Sequence, residues 1–207
     1  MITCIVLAAG ESKRFDGNKL LFESKPNVTV IEFLLKSIIA SKVDRTIVVL
    51  GHEADLVGKM VLRLNDASLQ TVVNPDYRIG GMSSSVRQGV EEVLDSHAIM
   101  ITPADIPFIP SKVFNQLIAY YYNHNPRLII PIYQNQKGHP ILISSELFSH
   151  VRKISEEKRG MKEIITRFSE DIVFVPTESP EILQDVDKYE DLIKLKSILK
   201  TKEKNLI

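Results

Sequence analysis

The chain has a single cysteine, Cys4, and no tryptophan. One thiol cannot close an intrachain disulfide, and its place inside the first apolar run marks it as a small buried hydrophobe. Net charge is absent as well. Lys plus Arg number 26 and Asp plus Glu number 26, so no overall field draws the protein to nucleic acid or to an anionic membrane. No apolar stretch reaches the about 18–20 residues of a membrane span. The start, MITCIVLAAG, lacks a basic n-region and breaks at Gly10 into charged residues, unlike a secretory signal. These absences predict a cytoplasmic protein with neither nucleic-acid nor membrane partners. Hydrophobic residues at 44% and charged residues at 25% describe a globular chain rather than a disordered one. Residues 1–200 are expected to form a single domain and 201–207 a frayed tail.

What is present is an alternation of buried strands and amphipathic helices. Residues 2–8, 45–50, 69–73 and 97–101 are apolar and β-branched enough for strands covered on both faces. Helices are expected over 30–41, 54–64, 83–94 and 113–122. In the first, Ile31, Leu34, Leu35 and Ile38 keep the helical spacing, and Thr29 with Glu32 supplies a capping box. Ser111 is the expected N-cap of the fourth. Later, 128–132 and 140–143 are expected to pair as a hairpin, at a mixed edge or in a small second lobe. Helices near 146–154 and 161–168, a strand at 172–175, a turn at 185–187 and a closing helix at 189–199 complete the reading. This order predicts an α/β fold, a Rossmann-like three-layer sandwich whose mostly parallel sheet carries an antiparallel hairpin or edge strand.

In such sheets ligands bind beyond the carboxyl ends of the strands. The loop Ala9-Gly10-Glu11-Ser12-Lys13-Arg14-Phe15-Asp16-Gly17-Asn18-Lys19 follows the first strand. Its glycines allow close backbone approach, and successive amides can face phosphate oxygens. Arg14 could grip a phosphate bidentately, and Lys19 would act as a mobile point charge. The loop is neither a Walker A loop nor a dinucleotide fingerprint. By its chemistry it fits a phosphate site or a solvated loop with surface lysines.

Four other segments are candidates. Asp105, in Thr102-Pro103-Ala104-Asp105-Ile106-Pro107, sits on a stiff turn, either as a solvated or capping carboxylate or as a ligand for an oxygen-preferring cation such as Mg²⁺. Asp185-Val186-Asp187 could add to a metal site, or Asp187 could cap the closing helix. Asn74 to Ser85 carries Gly80 and Gly81 into a helix N-terminus, where amides and dipole favour anions, and one serine of 83–85 is expected to cap that helix. His139, in Gly138-His139-Pro140, is either structural or substrate-facing. Gly51-His52-Glu53-Ala54-Asp55 is read as shaping a helix start. No Ser-His-Asp or Cys-His arrangement is found.

Leu7-Ala8-Ala9-Gly10, followed by Ser12, Arg14, Gly17 and Lys19, resembles the LAAGxSxRxG…K signature of the MobA-like NTP transferases. Within them it is similar to the molybdenum cofactor cytidylyltransferase branch, and the resemblance runs from Ile2 to about Leu192 through five motifs. It implies the nucleotide-diphospho-sugar transferase type of fold. The activity implied is transfer of a nucleoside monophosphate, CMP from CTP, to a phosphate monoester such as molybdopterin or molybdenum cofactor, with release of pyrophosphate. Implied catalytic residues are Arg14, Lys19 and Asp105. Implied nucleotide contacts are Leu7, Ala8, Ala9, Gly10, Ser12, Gly17, Asn74, Gly80, Gly81, Ser84 and Ser85. Asp105 and Asp185 would hold Mg²⁺, His139 would lie on the acceptor side, and a molybdenum hydroxylase would receive the product. Ala9 matches the CTP-using branch, where the GTP-using branch has LAGG. Phe15-Asp16 departs from the family's Met-Gly after the arginine, which lengthens the loop by one residue. A GTP-using guanylyltransferase, a cytidylyl- or uridylyltransferase for another small phosphate, a glycosyltransferase of similar fold and a nucleotide-binding regulatory protein remain as alternatives.

Overall fold

A computed structural model describes residues 1–13, 15, 17–25 and 27–193. Arg14, the end of the expected closing helix and the expected tail at 201–207 lie outside the described residues. The strands are β1 (Ile2–Ala8), β2 (Glu23–Lys25), β3 (Val28–Thr29), β4 (Arg45–Leu50), β5 (Leu69–Val73), β6 (Ala98–Pro103), β7 (Leu128–Tyr133), β8 (Gln136–Lys137), β9 (Ile141–Ser144) and β10 (Ile172–Pro176). The helices are α1 (Val30–Ile39), α2 (Ala54–Arg63), α3 (Gly81–Glu91), α4 (Ser111–His124), α5 (Phe148–Val151) and α6 (Met161–Arg167). A further helical stretch occupies 189–193.

One sheet has the order β10-β7-β9-β6-β1-β4-β5, with β8 paired to β7, while β2 and β3 form a separate ribbon. β1 is parallel to both β4 and β6, β4 to β5, and β10 to β7. β9 runs antiparallel to β6 and β7. The expected α/β sandwich with an antiparallel hairpin is therefore present. The hairpin lies inside the sheet, however, and not at an edge or in a second lobe. Burial explains this: Ile141, Leu142 and Ile143 are all covered, and a strand covered on both faces needs neighbours on both sides.

Two cores flank the sheet. Cys4, Val6 and Ala8 of β1 pack with Ile31, Leu34 and Leu35 of α1, Val57 of α2 and Phe114 of α4. Ile5 faces the other way, with Val49, Val86 and Val90 of α3, Val151 and Ile164. Cys4 is fully buried, and that burial pushes its thiol pKa well up, so it is an inert packing residue.

Helix starts differ from the sequence reading in instructive places. The capping box on α1 is formed, with Thr29 and Glu32 exchanging hydrogen bonds. Ser111 is the first helical residue of α4, and Pro110 occupies the cap position. The proline's fixed φ suits the turn into the helix without any side-chain cap. No serine caps α3, because that helix begins at Gly81, whose φ of 57° lets the chain turn into the helix early. Ser83, Ser84 and Ser85 consequently lie inside its first turns. The helix expected over 146–154 divides into a 3-10 turn, Ser145–Leu147, and the short α5.

Candidate active site

Because β1, β4 and β6 are parallel, Ala8, Leu50 and Pro103 end at one edge of the sheet, and the loops that follow them converge there. β9 reverses this logic. Its first residue, Ile141, pairs with Ile101 near the end of β6, so the antiparallel direction carries the preceding Gly138-His139-Pro140 segment to the same edge. A parallel strand would have left it on the far side.

Lys19 is the hub. Its Nζ donates to Asp105 Oδ2 at 2.8 Å and to Asp187 Oδ1 at 3.3 Å, with its own side chain 13% exposed. The 3-10 turn at Lys19–Leu21 holds this lysine, capped by Asn18, whose side chain accepts from the Leu20 amide at 3.0 Å. The Asp105 turn is fixed from both sides: the Ala104 amide donates to the Leu7 carbonyl at 3.0 Å, and the Val186 amide donates to the Asp105 carbonyl at 2.7 Å. Val186 is fully buried, and this anchor brings Asp187 beside Asp105 although 82 residues separate them in sequence.

Asp187, and not Asp185, is the aspartate that shares Lys19 with Asp105. Asp185 is exposed, and its carboxyl is raised above the ordinary range by desolvation and by the charges of Asp187 and Asp105. A carboxyl with a raised folded-state pKa is penalised once ionised, so its cost to folding is complete above that pKa and disappears below the unfolded value. Asp185→Asn is therefore expected to raise Tm in metal-free protein at pH 8, with the gain shrinking towards pH 4, as followed by scanning fluorimetry. The Asp191 carboxylate accepts from the Asp187 and Lys188 amides at 3.2 and 2.9 Å.

Two adjacent cavities open at this edge. One, of about 360 Å³, is lined by Gly10, Glu11, Ser12 and Lys13 together with Lys19, Asp105 and Asp187. The other, of about 270 Å³, is lined by Leu7, Ala9, Tyr77, Gly81, Met82, Ser85 and Pro103, and shares Gly10 and Asp105 with the first. The first is charged and edged by backbone, and the second is mostly apolar, with Tyr77 and Ser85 as its hydroxyl-bearing residues. That pairing suits a ligand with an anionic end and a flat, hydrogen-bonding end.

The expected nucleotide residues divide by orientation. Leu7, Ala9, Gly10, Ser12, Gly81 and Ser85 face the cavities, while Ala8 points into the core. Asn74 is buried behind the wall, its Nδ2 donating to Ser84 Oγ at 2.8 Å and Ser85 Oγ at 3.0 Å. Ser84 in turn donates to the Gly81 carbonyl, and a Cβ at Gly80 would meet Ser84 at 2.4 Å. These groups brace the wall. Gly17 takes a φ of 87° on the exposed part of the loop, in keeping with the extra residue there. Tyr77 and Met82, not singled out individually in the sequence, lie within the Asn74–Ser85 motif and line the second cavity.

His139 is held by its amide, which donates to the Ile182 carbonyl at 3.1 Å. Burial lowers its pKa, opposed by the Ile101 carbonyl and the Asp105 charge. Its Nδ1 has no hydrogen-bond partner among the described residues. The donor chemistry also suits a hard divalent cation. Lys19 already places a positive charge between two carboxylates, and all the donors are oxygen. No cluster of three or more metal-ligating side chains occurs among the described residues, yet Mg²⁺ needs only one or two carboxylates when phosphates complete its shell.

Gly51 underlies the first loop. A Cβ there would lie 2.7 Å from Ala9 Cβ, 2.8 Å from the Ala9 carbonyl oxygen and 2.8 Å from Tyr77 Cβ. Gly51→Ala is therefore expected to cost about 1–3 kcal/mol in urea unfolding, the usual size of overpacking, and to displace Ala9 in the first loop.

Residues 4–172 match the MobA-like NTP transferase domain. The chain belongs to the MobA-like NTP transferase family. Among curated MobA-like relatives, the molybdenum cofactor cytidylyltransferase of Escherichia coli K12 is 26% identical over 94% of this chain and 95% of its own length. A probable molybdenum cofactor guanylyltransferase of Thermococcus sibiricus is 22% identical over 94% and 97%. The crystal structure of a Mycobacterium tuberculosis Rv0371c homologue from Mycobacterium sp. strain JC1 superposes with a TM-score of 0.82, at 24% identity over 97% of each chain, and shares the fold. The protein is thus a nucleotidyltransferase by family, and among its described residues no helix is long and apolar enough to cross a membrane.

Proposed function

We propose that this MobA-like protein transfers CMP from CTP to a phosphate monoester, molybdopterin or molybdenum cofactor, and releases pyrophosphate. The observation that carries the proposal is the pair of adjacent cavities that share Gly10 and Asp105, with Lys19 and two aspartates on one side and an apolar, Ser85-bearing compartment on the other. The triphosphate would lie along the Gly10–Lys19 loop, and the base and ribose against Leu7, Ala9 and Ser85. An oxygen of the acceptor phosphate forms a bond to the α-phosphorus while the bond from that phosphorus to the bridging oxygen breaks, and the electron pair leaves with pyrophosphate. The attacking oxygen is already ionised, so no general base is needed. Lys19, with Arg14 from the same loop, would bind the phosphates and offset the charge that builds on the leaving group. Asp105 and Asp187 would hold Mg²⁺, with Asp185 alongside; when bound, the ion supplies charge neutralisation and phosphate alignment. His139 would lie on the acceptor side of the same edge. A cytoplasmic location, and delivery of the product to a molybdenum hydroxylase, belong to the same proposal.

The Thermococcus relative supports a second reading, GTP as donor. Pyrophosphate release measured with Mg²⁺, each nucleoside triphosphate in turn and a molybdopterin acceptor decides between them. Preference for CTP supports the proposal, and preference for GTP replaces it with the guanylyl reading. No pyrophosphate with any pair would leave a nucleotide-binding regulatory protein.

A further inference from the structure

The start of α3 forms one wall of the apolar compartment, yet it has no local cap: Gly80 occupies the cap position without a side-chain bond. A helix start leaves amides unpaired, and they need a partner. The partner here comes from 73 residues away. The Ser83 amide and the Ser83 hydroxyl both donate to Glu156 Oε1, each at 2.7 Å. Glu156 lies on the segment between α5 and α6. These hydrogen bonds, the Ser83 amide foremost, hold its carboxyl below the usual range, with Arg87 and the Met82 amide adding to them.

Two glycines make the contact possible. A Cβ at Gly81 would lie 2.6 Å from Glu156 Cγ and 2.8 Å from Glu156 Oε1, and one at Gly160 would lie 2.7 Å from Ser83 Oγ. Both take positive φ, 57° and 55°, so each segment is shaped to approach the other. A second tie lies one helical turn further on, where Arg87 Nη1 donates to the Ile154 carbonyl at 2.6 Å. On its inner side the same turn is braced by Asn74 through Ser84 and Ser85.

We propose that Glu156 is a positioning residue for the nucleobase compartment: it caps α3 across the fold and so fixes Gly81, Met82 and Ser85 where they meet the base and ribose. The role in nucleotide recognition rests on the function proposed above, whereas the cap itself is a property of the free protein. Glu156 touches no reacting atom. Its effect is expected in affinity and in base discrimination, with little change in the chemical step.

Amide hydrogen exchange and nucleotide titration of Glu156→Ala test this. Loss of a cap is expected to speed exchange at residues 82–84 by about 2- to 30-fold, with Lys158→Ala on the same segment as an unchanged control. The variant should bind CTP more weakly by a similar factor and discriminate less between CTP and GTP, while kcat at saturating nucleotide stays within about twofold. Glu156→Gln keeps an acceptor oxygen and should fall between. Wild-type protection at 82–84 in Glu156→Ala would overturn the proposal, as would lowered kcat with unchanged affinity. A wild-type protein that binds no nucleoside triphosphate would sink the functional reading and with it the recognition role. The exchange result would still decide whether Glu156 holds the wall.

Discussion

Lys19→Ala is expected to lower kcat/KM for nucleotidyl transfer by on the order of 10²–10³, the usual cost of removing one preorganised charge from a developing oxyanion. The side chain is mostly buried at the mouth of the charged cavity and reaches both Asp105 and Asp187. Alanine would remove the proposed phosphate ligand, and it leaves two facing carboxylates without their shared cation. Binding of free Mn²⁺, measured by electron paramagnetic resonance in the absence of nucleotide, should therefore hold or strengthen while turnover falls. Lys19→Arg should not restore the rate, because a planar fork cannot occupy the place of a compact ammonium. Full turnover in Lys19→Ala would remove the lysine from the mechanism.

Asp105→Asn separates charge from shape. The Val186 amide bonds the backbone carbonyl of Asp105, so the turn and its partner segment should stay in place and the thermal transition should move little. Only a carboxylate is lost. Activity is expected to drop by about 10²–10³, and Mn²⁺ affinity should fall with it, in contrast to Lys19→Ala. Asp187→Asn should follow the same pattern because Asp187 shares the lysine. Asp185→Asn should be the mildest of the three, since its side chain is exposed and has no part in the Lys19 bridge. If Asp185→Asn proved the most damaging, the pairing of Asp105 with Asp187 would be wrong as an account of the proposed metal site.

Much of this architecture was legible in local pattern. Residues 2–8, 45–50 and 69–73 became strands at the expected bounds, because runs of β-branched residues ending at glycine or asparagine have few other uses. Thr29 and Glu32 announced α1 because a capping box is satisfied within four residues. The Gly10–Lys19 loop and the Asp105 turn were visible as motifs, since glycine spacing, paired prolines and position after a strand are all local properties. Helix starts were read less well. Serines near 83 looked like caps, but the positive φ of Gly81 began the helix before them and handed the capping to Glu156.

The residues alone thus settled which segments are strands and helices, and which loops carry cations, carboxylates and glycines, because these depend on a few neighbours in the chain. Which of those groups meet was decided by long-range packing. The buried faces of β9 drew it between β6 and β7 and brought the His139 segment to the edge that carries Asp105. Val186, buried against the Asp105 turn, selected Asp187 over Asp185 as the second partner of Lys19. Two glycines with positive φ let Glu156 reach α3. Each pairing depends on the free energy of covering apolar surface and satisfying amides between segments far apart in the chain, and no spacing within a single segment encodes that.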